Sequence, residues 1–333
     1  MSVLSREYFH NEAKAFDHVE SILWPEGPVC PHCGCMGRVY KLEGVYTKPT
    51  KRSPQGVERH GLKKCGECRK QFTVRIGTIF EESHIPLHKW LQAIHLMCSS
   101  KKGISSNQLH RVLEITLKSA WFLSHRIREA MREGKFGPIG GNGKTVEIDE
   151  TYFCKKSGPA PTMTTRGKPF TKSGKTGPSH KRAVLGLVER GGKVRTFHVE
   201  RADKLTVANI VTDNVHHESV VYTDESVLYR DMSNTFADHQ ATKHSAGEYV
   251  RYEGAAVIHS NTIENYFSVF KRGMKGIYQH CSEKHLHRYL SEFDFRYNNR
   301  VGLGVDDKER AISALRGIVG KRLAYRSVGI AQG

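Results

Sequence analysis

The sequence predicts a multidomain α+β protein, in which a small cysteine-containing domain and a helical module precede an α/β domain with a mixed sheet. Three observations predict it: two Cys-x-x-Cys pairs near the N-terminus, a helix-rich stretch, and a series of short β-rich runs after a glycine-rich segment. A chain of 333 residues is long enough for two or three domains. We expect the cysteine domain at residues 25–82, the helical module at 84–134, the mixed-sheet domain at 144–312 and a C-terminal tail at 313–333.

The most informative global property of the chain is its positive charge. Lys and Arg number 52 against 34 Asp and Glu, which gives a net charge of +18 with His neutral. Such an excess favours a polyanionic partner, most often nucleic acid, over a basic protein that is merely soluble. No apolar run reaches the length of about eighteen residues that a membrane span needs, and the N-terminus lacks the apolar segment of a secretory signal. We therefore expect a cytoplasmic protein with no membrane partner.

The cysteine domain carries the most specific local motif. Cys30-x-x-Cys33 and Cys65-x-x-Cys68 each bring two thiolates together in one tight turn. Two such turns supply the four ligands of a closed, tetrahedral zinc site. In a reducing compartment, cysteines are expected to be metal ligands or free thiols and not disulfides. We therefore predict a zinc ribbon that holds one structural Zn²⁺.

Two further features of this domain bear on the zinc site. Residues 46–61, between the two cysteine pairs, are polar and rich in turn-forming residues, which indicates an inserted hairpin loop. His32 and Cys35 lie beside the first pair, where they are either competing ligands or simple neighbours of the turn.

The stretch from Pro86 to Met131 predicts three short helices. Pro86 suits a first helical turn, Ser105 or Ser106 can cap the second helix, and Thr116 can cap the third. Three helices with tight connections resemble a helix-turn-helix module, although any small helical bundle could show the same pattern. The third helix bears four basic residues: Lys118, His125, Arg126 and Arg128.

The mixed-sheet domain is predicted from four β-rich runs and one helix. The runs are "TVEIDETYF", "KRAVLGLVER", "KVRTFHVER" and "SVVYTDES", and the helix "KLTVANIVTDNV" lies between the third and the fourth. This order implies a mixed sheet with helices packed on it. Residues 155–182 are rich in Gly, Pro, Lys and Arg and predict a long, mobile, cationic loop. The fragments "GNGKT" and "SGKTG" lack the first glycine of a phosphate-binding loop, which excludes nucleotide binding there.

Two aspartates stand where predicted strands end. Asp149 lies near the end of the first run and Asp224 at the end of the fourth. Carboxylates in such positions face the crevice where an open sheet meets its loops. Either residue alone is more simply a turn former. Glu150 and Glu225 follow the two aspartates directly, so the register could be off by one.

A third carboxylate lies on an amphipathic helix predicted at residues 259–273. Glu264 and Lys271 fall on one polar face of this helix, two turns apart. Glu264 could simply be a first-turn acid favoured by the helix dipole. Together with Asp149 and Asp224, however, it could hold two Mg²⁺ or Mn²⁺ ions about 4 Å apart, which activate a water and stabilise the leaving oxygen of a phosphodiester. The opposite face is an apolar stripe of Ile263, Tyr266, Phe267 and Phe270.

Four motifs in this order resemble those of a bacterial insertion-sequence transposase. They are "DETYF", "VYTDES", "HSNTIENYFSVFKRGMKGIYQH" and "HLHRYLSEFDFRYNNR", and the last two are the most specific. The sequence is similar, over roughly residues 25 to 310, to the DDE group with an N-terminal zinc ribbon, a helix-turn-helix and a ribonuclease H-like catalytic domain. The resemblance implies that Asp149, Asp224 and Glu264 bind the catalytic metals and that Lys271 contacts the terminal DNA.

One site residue has an alternative. In parts of this group the third catalytic position is an asparagine, and Asn261 lies one turn before Glu264. We prefer Glu264 because a full carboxylate binds a hard divalent cation better than an amide does. Asn261 is then an outer ligand or a helix cap.

The predicted function is that of a transposase acting on its own element. It would bind the terminal inverted repeats, hydrolyse phosphodiester bonds to free 3′-hydroxyl ends, and transfer these ends to target DNA with two metal ions. Two DNA ends require two active sites, so we expect a homodimer or larger assembly on double-stranded DNA. The alternatives are a zinc-containing DNA-binding regulator with an inactive nuclease-like domain, and a nuclease that cuts without joining. Phosphate contacts are expected from Lys271, Arg272, Lys118 and Arg126.

Overall fold

The computed structural model describes residues 2–51, 53–134, 137–156, 163, 180–254 and 256–323. The chain forms two compact units, one of residues 1–132 with 305–333 and the other of residues 133–304. The helices are α1 Glu12–Leu23, α2 Leu87–Ser99, α3 Ser106–Leu113, α4 Leu117–Met131, α5 Lys204–Asn214, α6 Asn261–Gly273, α7 Leu286–Asn298 and α8 Asp307–Arg316. The strands are β1 Val39–Lys41, β2 Lys63–Cys65, β3 Gln71–Phe72, β4 Thr145–Lys155, β5 Lys181–Glu189, β6 Val194–Val199, β7 Val220–Asp224, β8 Asp238–Thr242, β9 Arg251–Glu253 and β10 Ala256–Ile258.

The first unit combines a small antiparallel sheet, β1-β2-β3, with helices α1 to α4 and α8. The helix starts follow the capping residues. The Ser105 hydroxyl accepts a hydrogen bond from the Gln108 N–H at 3.1 Å, and the Thr116 hydroxyl accepts one from the Ser119 N–H at 3.1 Å. These bonds satisfy backbone donors that a helix leaves open at its N-terminus. The predicted starts of α3 and α4 are therefore confirmed.

The inserted loop of the cysteine domain folds as a hairpin, as predicted. Tyr46 and Glu58 form an antiparallel bridge, and the Thr47 N–H donates to the Val57 carbonyl at 2.9 Å. No helix in the described part of the chain is long and apolar enough to cross a membrane.

Helix α8 belongs to the first unit. The Arg310 guanidinium donates to the Cys98 carbonyl of α2 at 2.8 Å, and Asp306 and Glu309 cap the helix start reciprocally. The division into domains at residues 25–82, 84–134 and 144–312, with a tail at 313–333, stays a prediction. Residues 324–333 of the predicted tail lie outside the described residues.

The second unit contains a five-stranded sheet in the order β6-β5-β4-β7-β8. Strands β4, β5 and β6 pair antiparallel, whereas β4 with β7 and β7 with β8 pair parallel. The predicted mixed sheet in a multidomain α+β protein is thus confirmed. Most of the predicted cationic loop, residues 157–162 and 164–179, lies outside the described residues, and the "SGKTG" fragment lies there with it.

The two faces of this sheet bury different helices. Successive residues of a strand point to opposite faces. On one face Phe153 of β4 packs in a cluster with α6 and α7, whereas Val146 and Ile148 pack on the other face with α5. Glu147 and Asp149 alternate with Val146 and Ile148 and therefore face α6. The apolar stripe of α6 is buried as predicted.

Candidate functional site

The four predicted zinc ligands meet at one point of the first unit. The sulfur atoms of Cys30, Cys33, Cys65 and Cys68 all lie within 4.8 Å of one another. The Cys30–Cys68 and Cys33–Cys65 pairs are 3.7 and 3.6 Å apart. A tetrahedral zinc ion with Zn–S bonds of about 2.3 Å needs sulfur atoms about 3.8 Å apart. The four side chains therefore fit a structural zinc ion.

The alternative ligands His32 and Cys35 are not members of this group. Cys35 instead accepts a backbone hydrogen bond from the Cys30 N–H at 2.9 Å, which closes the turn of the first pair. Trp24 and Phe72 cover the cluster from the apolar side with their rings edge to face. The ligands are thus held by backbone turns and by a small apolar core.

The helical module exposes less positive charge than the sequence predicted. Lys118 is exposed in the first turn of α4, but His125, Arg126 and Arg128 are buried. The Arg126 guanidinium donates to the carbonyls of Glu81 at 2.8 Å and Leu323 at 3.2 Å. The predicted phosphate contact of Arg126 is therefore wrong for this fold, because a guanidinium 4% exposed and bound to carbonyls is a structural element.

In the second unit, Asp149 and Asp224 lie at the same level of two neighbouring strands. Strands β4 and β7 are parallel, with Glu147 opposite Tyr222, and each aspartate lies two residues beyond this pair. Asp224 ends β7 as predicted, whereas Asp149, which was predicted near a strand end, lies in the middle of β4, because β4 continues to Lys155 in its pairing with β5. The two aspartates are neighbours on parallel strands at the level where β7 ends.

The electrostatics of Asp149 reflect this proximity. Burial raises the pKa of Asp149 to about 8, with further contributions from the negative charges of Glu150, Asp224 and Glu264. Carboxylates that share a site disfavour one another's ionised forms. A divalent cation would reverse this effect, because it favours the ionised forms of all the acids around it.

The acids next to the two aspartates are engaged elsewhere. Glu150 points to the other face of the sheet and accepts a hydrogen bond from the Tyr229 hydroxyl. Glu225 accepts from the Ser245 N–H at 3.0 Å and from its hydroxyl at 2.8 Å. In the first pair Asp149 therefore faces α6 whereas Glu150 does not, and in the second pair Glu225 is engaged with Ser245.

Helix α6 reaches this edge because β5 offers it a glycine. Gly186 is the cross-strand partner of Asp149. A Cβ atom there would lie 2.7 Å from the side chains of Ile263 and Phe267. The missing side chain lets the helix approach the sheet beside Asp149, which brings Glu264 within electrostatic range of that residue.

A residue that the sequence analysis missed fixes the start of α6. The carboxylate of Glu147, fully buried, accepts hydrogen bonds from the N–H groups of Thr262 at 2.8 Å and Ile263 at 3.1 Å. The Arg190 guanidinium donates to the same carboxylate at 2.7 Å and also holds the His259 carbonyl at 2.9 Å. An acid two positions before Asp149 in an apolar strand was the available signal, since residues i and i+2 share one face.

Glu264 and Asn261 differ in their surroundings. The Glu264 carboxylate accepts a hydrogen bond from the Ser260 hydroxyl at 2.9 Å and lies 3.8 Å from the His244 ring. Asn261 is exposed, and its backbone N–H donates to the His259 ring at 3.2 Å. His244, which follows β8, was not predicted near the site.

The acidic site is more open than the cysteine site. Among the described residues, the four cysteines are the only group of three or more potential ligands whose atoms all lie within 4.8 Å. The oxygen atoms of Asp149, Asp224 and Glu264 do not all lie within that distance of one another, although the negative charges of Asp224 and Glu264 act on Asp149.

Basic residues flank the same edge. Burial lowers the pKa of Lys271, and the nearby negative charge of Asp149 opposes that shift. Arg272 is exposed, and its guanidinium donates to the Ser268 carbonyl within α6 at 3.2 Å. The structure thus brings Lys271, but not Arg272, into electrostatic contact with the acids.

Two family models match parts of this chain. Residues 140–298 match the ISXO2-like transposase domain, and residues 10–71 match the transposase zinc-ribbon domain. The matched ranges contain the three acids and the four cysteines, respectively.

Two individual proteins are also similar. An uncharacterized protein in transposable element ISH50 of Halobacterium salinarum is 26% identical over 295 residues, which cover 86% of this chain and 91% of that protein. A match to a chain in the structure of a pre-cleavage Mos1 transpososome spans 61% of this chain and 78% of that chain, with 10% identity and a TM-score of 0.16. By these matches, residues 140–298 form an ISXO2-like transposase domain and residues 10–71 a transposase zinc ribbon, and the chain is an insertion-sequence transposase with an N-terminal zinc ribbon.

Proposed function

We propose that Asp149, Asp224 and Glu264 form the catalytic centre of a metal-dependent DNA strand-transfer enzyme. One observation carries the proposal: β7 ends and α6 begins beside the middle of β4, so that the negative charges of Asp224 and Glu264 act on Asp149. Bound Mg²⁺ or Mn²⁺ would activate a water and stabilise the leaving oxygen of a phosphodiester. Oxygen ligands of this kind are the ones that these hard cations prefer.

The surrounding residues hold and orient this centre. Glu147 fixes the first turn of α6, which sets the position of Glu264. Lys271, two turns later, faces the acids and supplies positive charge for the phosphate that is cut. Asn261 is an outer ligand or the start of the helix, and Arg272 contacts more distant phosphates.

The DNA partners follow from the reaction. The zinc ribbon and the helical module, with exposed Lys118, bind the terminal inverted repeats of double-stranded DNA. Each freed 3′-hydroxyl attacks target DNA by in-line transesterification, without a covalent protein intermediate. Two ends require two active sites, so the working form is a homodimer or larger assembly, which acts in the cytoplasm on chromosomal DNA.

The test uses a supercoiled plasmid that carries the gene with its native flanks. Purified protein and Mg²⁺ or Mn²⁺ are expected to give fixed 3′-hydroxyl ends at the flanks and joined products. Asp149→Asn, Asp224→Asn and Glu264→Gln should abolish both products. Glu225→Gln is the matched control, because this neighbouring acid is bound to Ser245.

Three results would change the assignment. Cleavage that survives Glu264→Gln but not Asn261→Ala would make Asn261 the third residue. Salt-sensitive DNA binding without cleavage by the native protein would favour the regulator. Cut ends without joined products would favour a nuclease that does not transfer strands.

A further inference from the structure

Four lysines gather where the β4–β5 pair and helix α6 end, and the proposed catalytic acids do not account for three of them. Lys155 ends β4, Lys181 begins β5, and Lys271 and Lys275 lie four residues apart at the end of α6 and in the wider turn that follows. We call these four residues the lysine cluster. Lys155, Lys181 and Lys275 are exposed.

The pairing of β4 with β5 places two of the charges opposite each other. Lys155 and Lys181 are cross-strand partners. This pairing depends on a β-bulge at Cys154, whose backbone adopts a left-handed φ of 46°. Like charges directly opposite each other destabilise a sheet, and a left-handed non-glycine residue is strained. The fold retains both the repulsion between the lysines and the strained backbone at this position, which indicates that the paired lysines have a function.

Packing connects this strand pair with α6. The ring of Phe153, near the end of β4, lies 5.4 Å from the ring of Phe270, which directly precedes Lys271 in α6. Burial lowers the pKa of Lys271, the negative charge of Asp149 opposes this shift, and the positive charges of Lys275 and Lys181 add to it. Lys271 is therefore the member of the cluster that lies next to Asp149.

The lysine cluster has no compensating acid within 4.0 Å among the described residues. Lysines elsewhere in the same unit do have one: Lys144 lies 2.8 Å from Glu189, and Lys204 lies 2.5 Å from Asp231. Lys155, Lys181 and Lys275 thus add positive charge that no neighbouring acid compensates, and an array of phosphates would relieve the resulting repulsion.

We propose that the lysine cluster binds the phosphodiester backbone of DNA. The bound segment would lie next to the scissile phosphate, on the side where the β4–β5 pair ends. The proposal rests on the proposed function, because Asp149 defines where the scissile phosphate lies. The four side chains act as point charges on successive phosphates and read no base sequence. They would grip terminal or target DNA in the same way, through its backbone.

The test compares two double variants of the full-length protein with equal loss of charge. Lys181→Gln with Lys275→Gln removes two exposed members of the cluster, and Lys144→Gln with Lys204→Gln removes two ion-paired lysines of the same unit. Binding is measured without divalent metal over a range of salt concentrations. The probes are two labelled duplexes, one from the flank of the gene and one of unrelated sequence.

The cluster variant is expected to lower the slope of log affinity against log salt by about 0.9 per lost phosphate contact, and to weaken binding about tenfold or more at moderate salt. The loss should be equal on both duplexes, and the control variant should keep the native slope. Hydrogen exchange of β4 and β5 verifies that both variants remain folded. An unchanged slope in the cluster variant, or equal losses in the two variants, overturns the proposal.

Binding and cleavage separate this proposal from the proposed function. A native protein that binds with a cluster-dependent slope but never cuts supports the lysine cluster and contradicts the catalytic assignment. If the native protein cuts DNA and the cluster variant keeps the native salt dependence of binding, the catalytic assignment is supported and the lysine-cluster proposal is contradicted.

Discussion

The zinc site and the acidic site are both suited to hold cations, but they reach that state in different ways. The four cysteine sulfurs lie within 4.8 Å of one another and match the spacing of a tetrahedral ion. The oxygen atoms of the three acids do not all lie that close together, and burial, with the negative charges of Glu150, Asp224 and Glu264, raises the pKa of Asp149 to about 8. The first site is closed by tight turns and a three-stranded sheet. The second is assembled from β4, β7 and α6, and it stays open to a substrate.

The difference teaches how each site depends on the fold. A closed site contributes its binding energy to folding, because ligands and core form together. An open site is destabilising until its charges are compensated, so other residues must hold it in place. Glu147, Arg190 and Gly186 have that task for the acidic site.

The largest effect is expected from the loss of a zinc ligand. Cys65→Ser should release the ion and unfold the cysteine domain, because structural zinc contributes about 10–16 kcal/mol to small domains of this type. Metal analysis and tryptophan fluorescence would report it, since all three tryptophans lie in the first unit. Cys35→Ser is the matched control and should keep its zinc, because Cys35 is outside the ligand group. Equal zinc loss in the control would show that the ligand set is wrong.

The next effect concerns the support of α6. Glu147→Ala should destabilise the second unit by about 3–5 kcal/mol, because it removes the buried partner of Arg190 and of two helix N–H groups. Hydrogen exchange in α6 should accelerate and metal-dependent cleavage should fall, while zinc content stays unchanged. Glu189→Ala, which removes a partly buried partner of exposed Lys144, should cost about 1 kcal/mol or less. If the α6 amides of Glu147→Ala exchanged at the same rate as those of the native protein, this result would contradict the proposal that Glu147 anchors α6.

A pH dependence should distinguish the two sites. The fold raises the pKa of Asp149 from 3.8 to about 8. At pH values between these two, Asp149 is protonated in the folded protein but ionised in the unfolded chain. Without divalent metal, the stability of the second unit should therefore be greatest at low pH and fall by a few kcal/mol as pH rises from about 4 to 8.

Exchange of β4 amides in chelator-treated protein across this pH range would measure the effect. Asp149→Asn should flatten the dependence, and excess Mg²⁺ should restore stability at the alkaline end in the native protein alone. A slope that is the same in Asp149→Asn would assign the titration to another group.

The smallest effect is expected at Gly186. Gly186→Ala places a methyl group 2.7 Å from Ile263 and Phe267, and overpacking of this kind typically costs about 1–3 kcal/mol. Displacement of α6 should reduce the rate of plasmid cleavage strongly, although the free energy of unfolding falls only by this modest amount. Denaturant unfolding and plasmid cleavage measure the two quantities. Gly192→Ala provides the control, because a methyl group there meets only the flexible Glu189 side chain. Full activity in Gly186→Ala would show that α6 is not held against the sheet at this residue.

Several elements were predictable because their signals are local. The cysteine pairs, the caps Ser105 and Thr116, and the apolar stripe of α6 are patterns within a few residues, and the fold contains each of them. Strand β8, with sequence "DHQAT", escaped prediction because it lies at the sheet edge and is mostly polar. Arg126 looked like a DNA contact because burial is a tertiary property that composition does not reveal.

The sequence by itself determined the cysteine cluster, the order of the elements from β4 to β7, and three acids as candidates for a metal site. These depend on spacing along the chain, which short-range geometry converts directly into turns, strands and helices. The tertiary structure alone decided that Asp149 and not Glu150 faces α6, that Glu147 holds the helix start, and that Lys271 lies within electrostatic range of Asp149. These features depend on which distant segments meet, and only the packing of α6 against the β4–β5 pair fixes that.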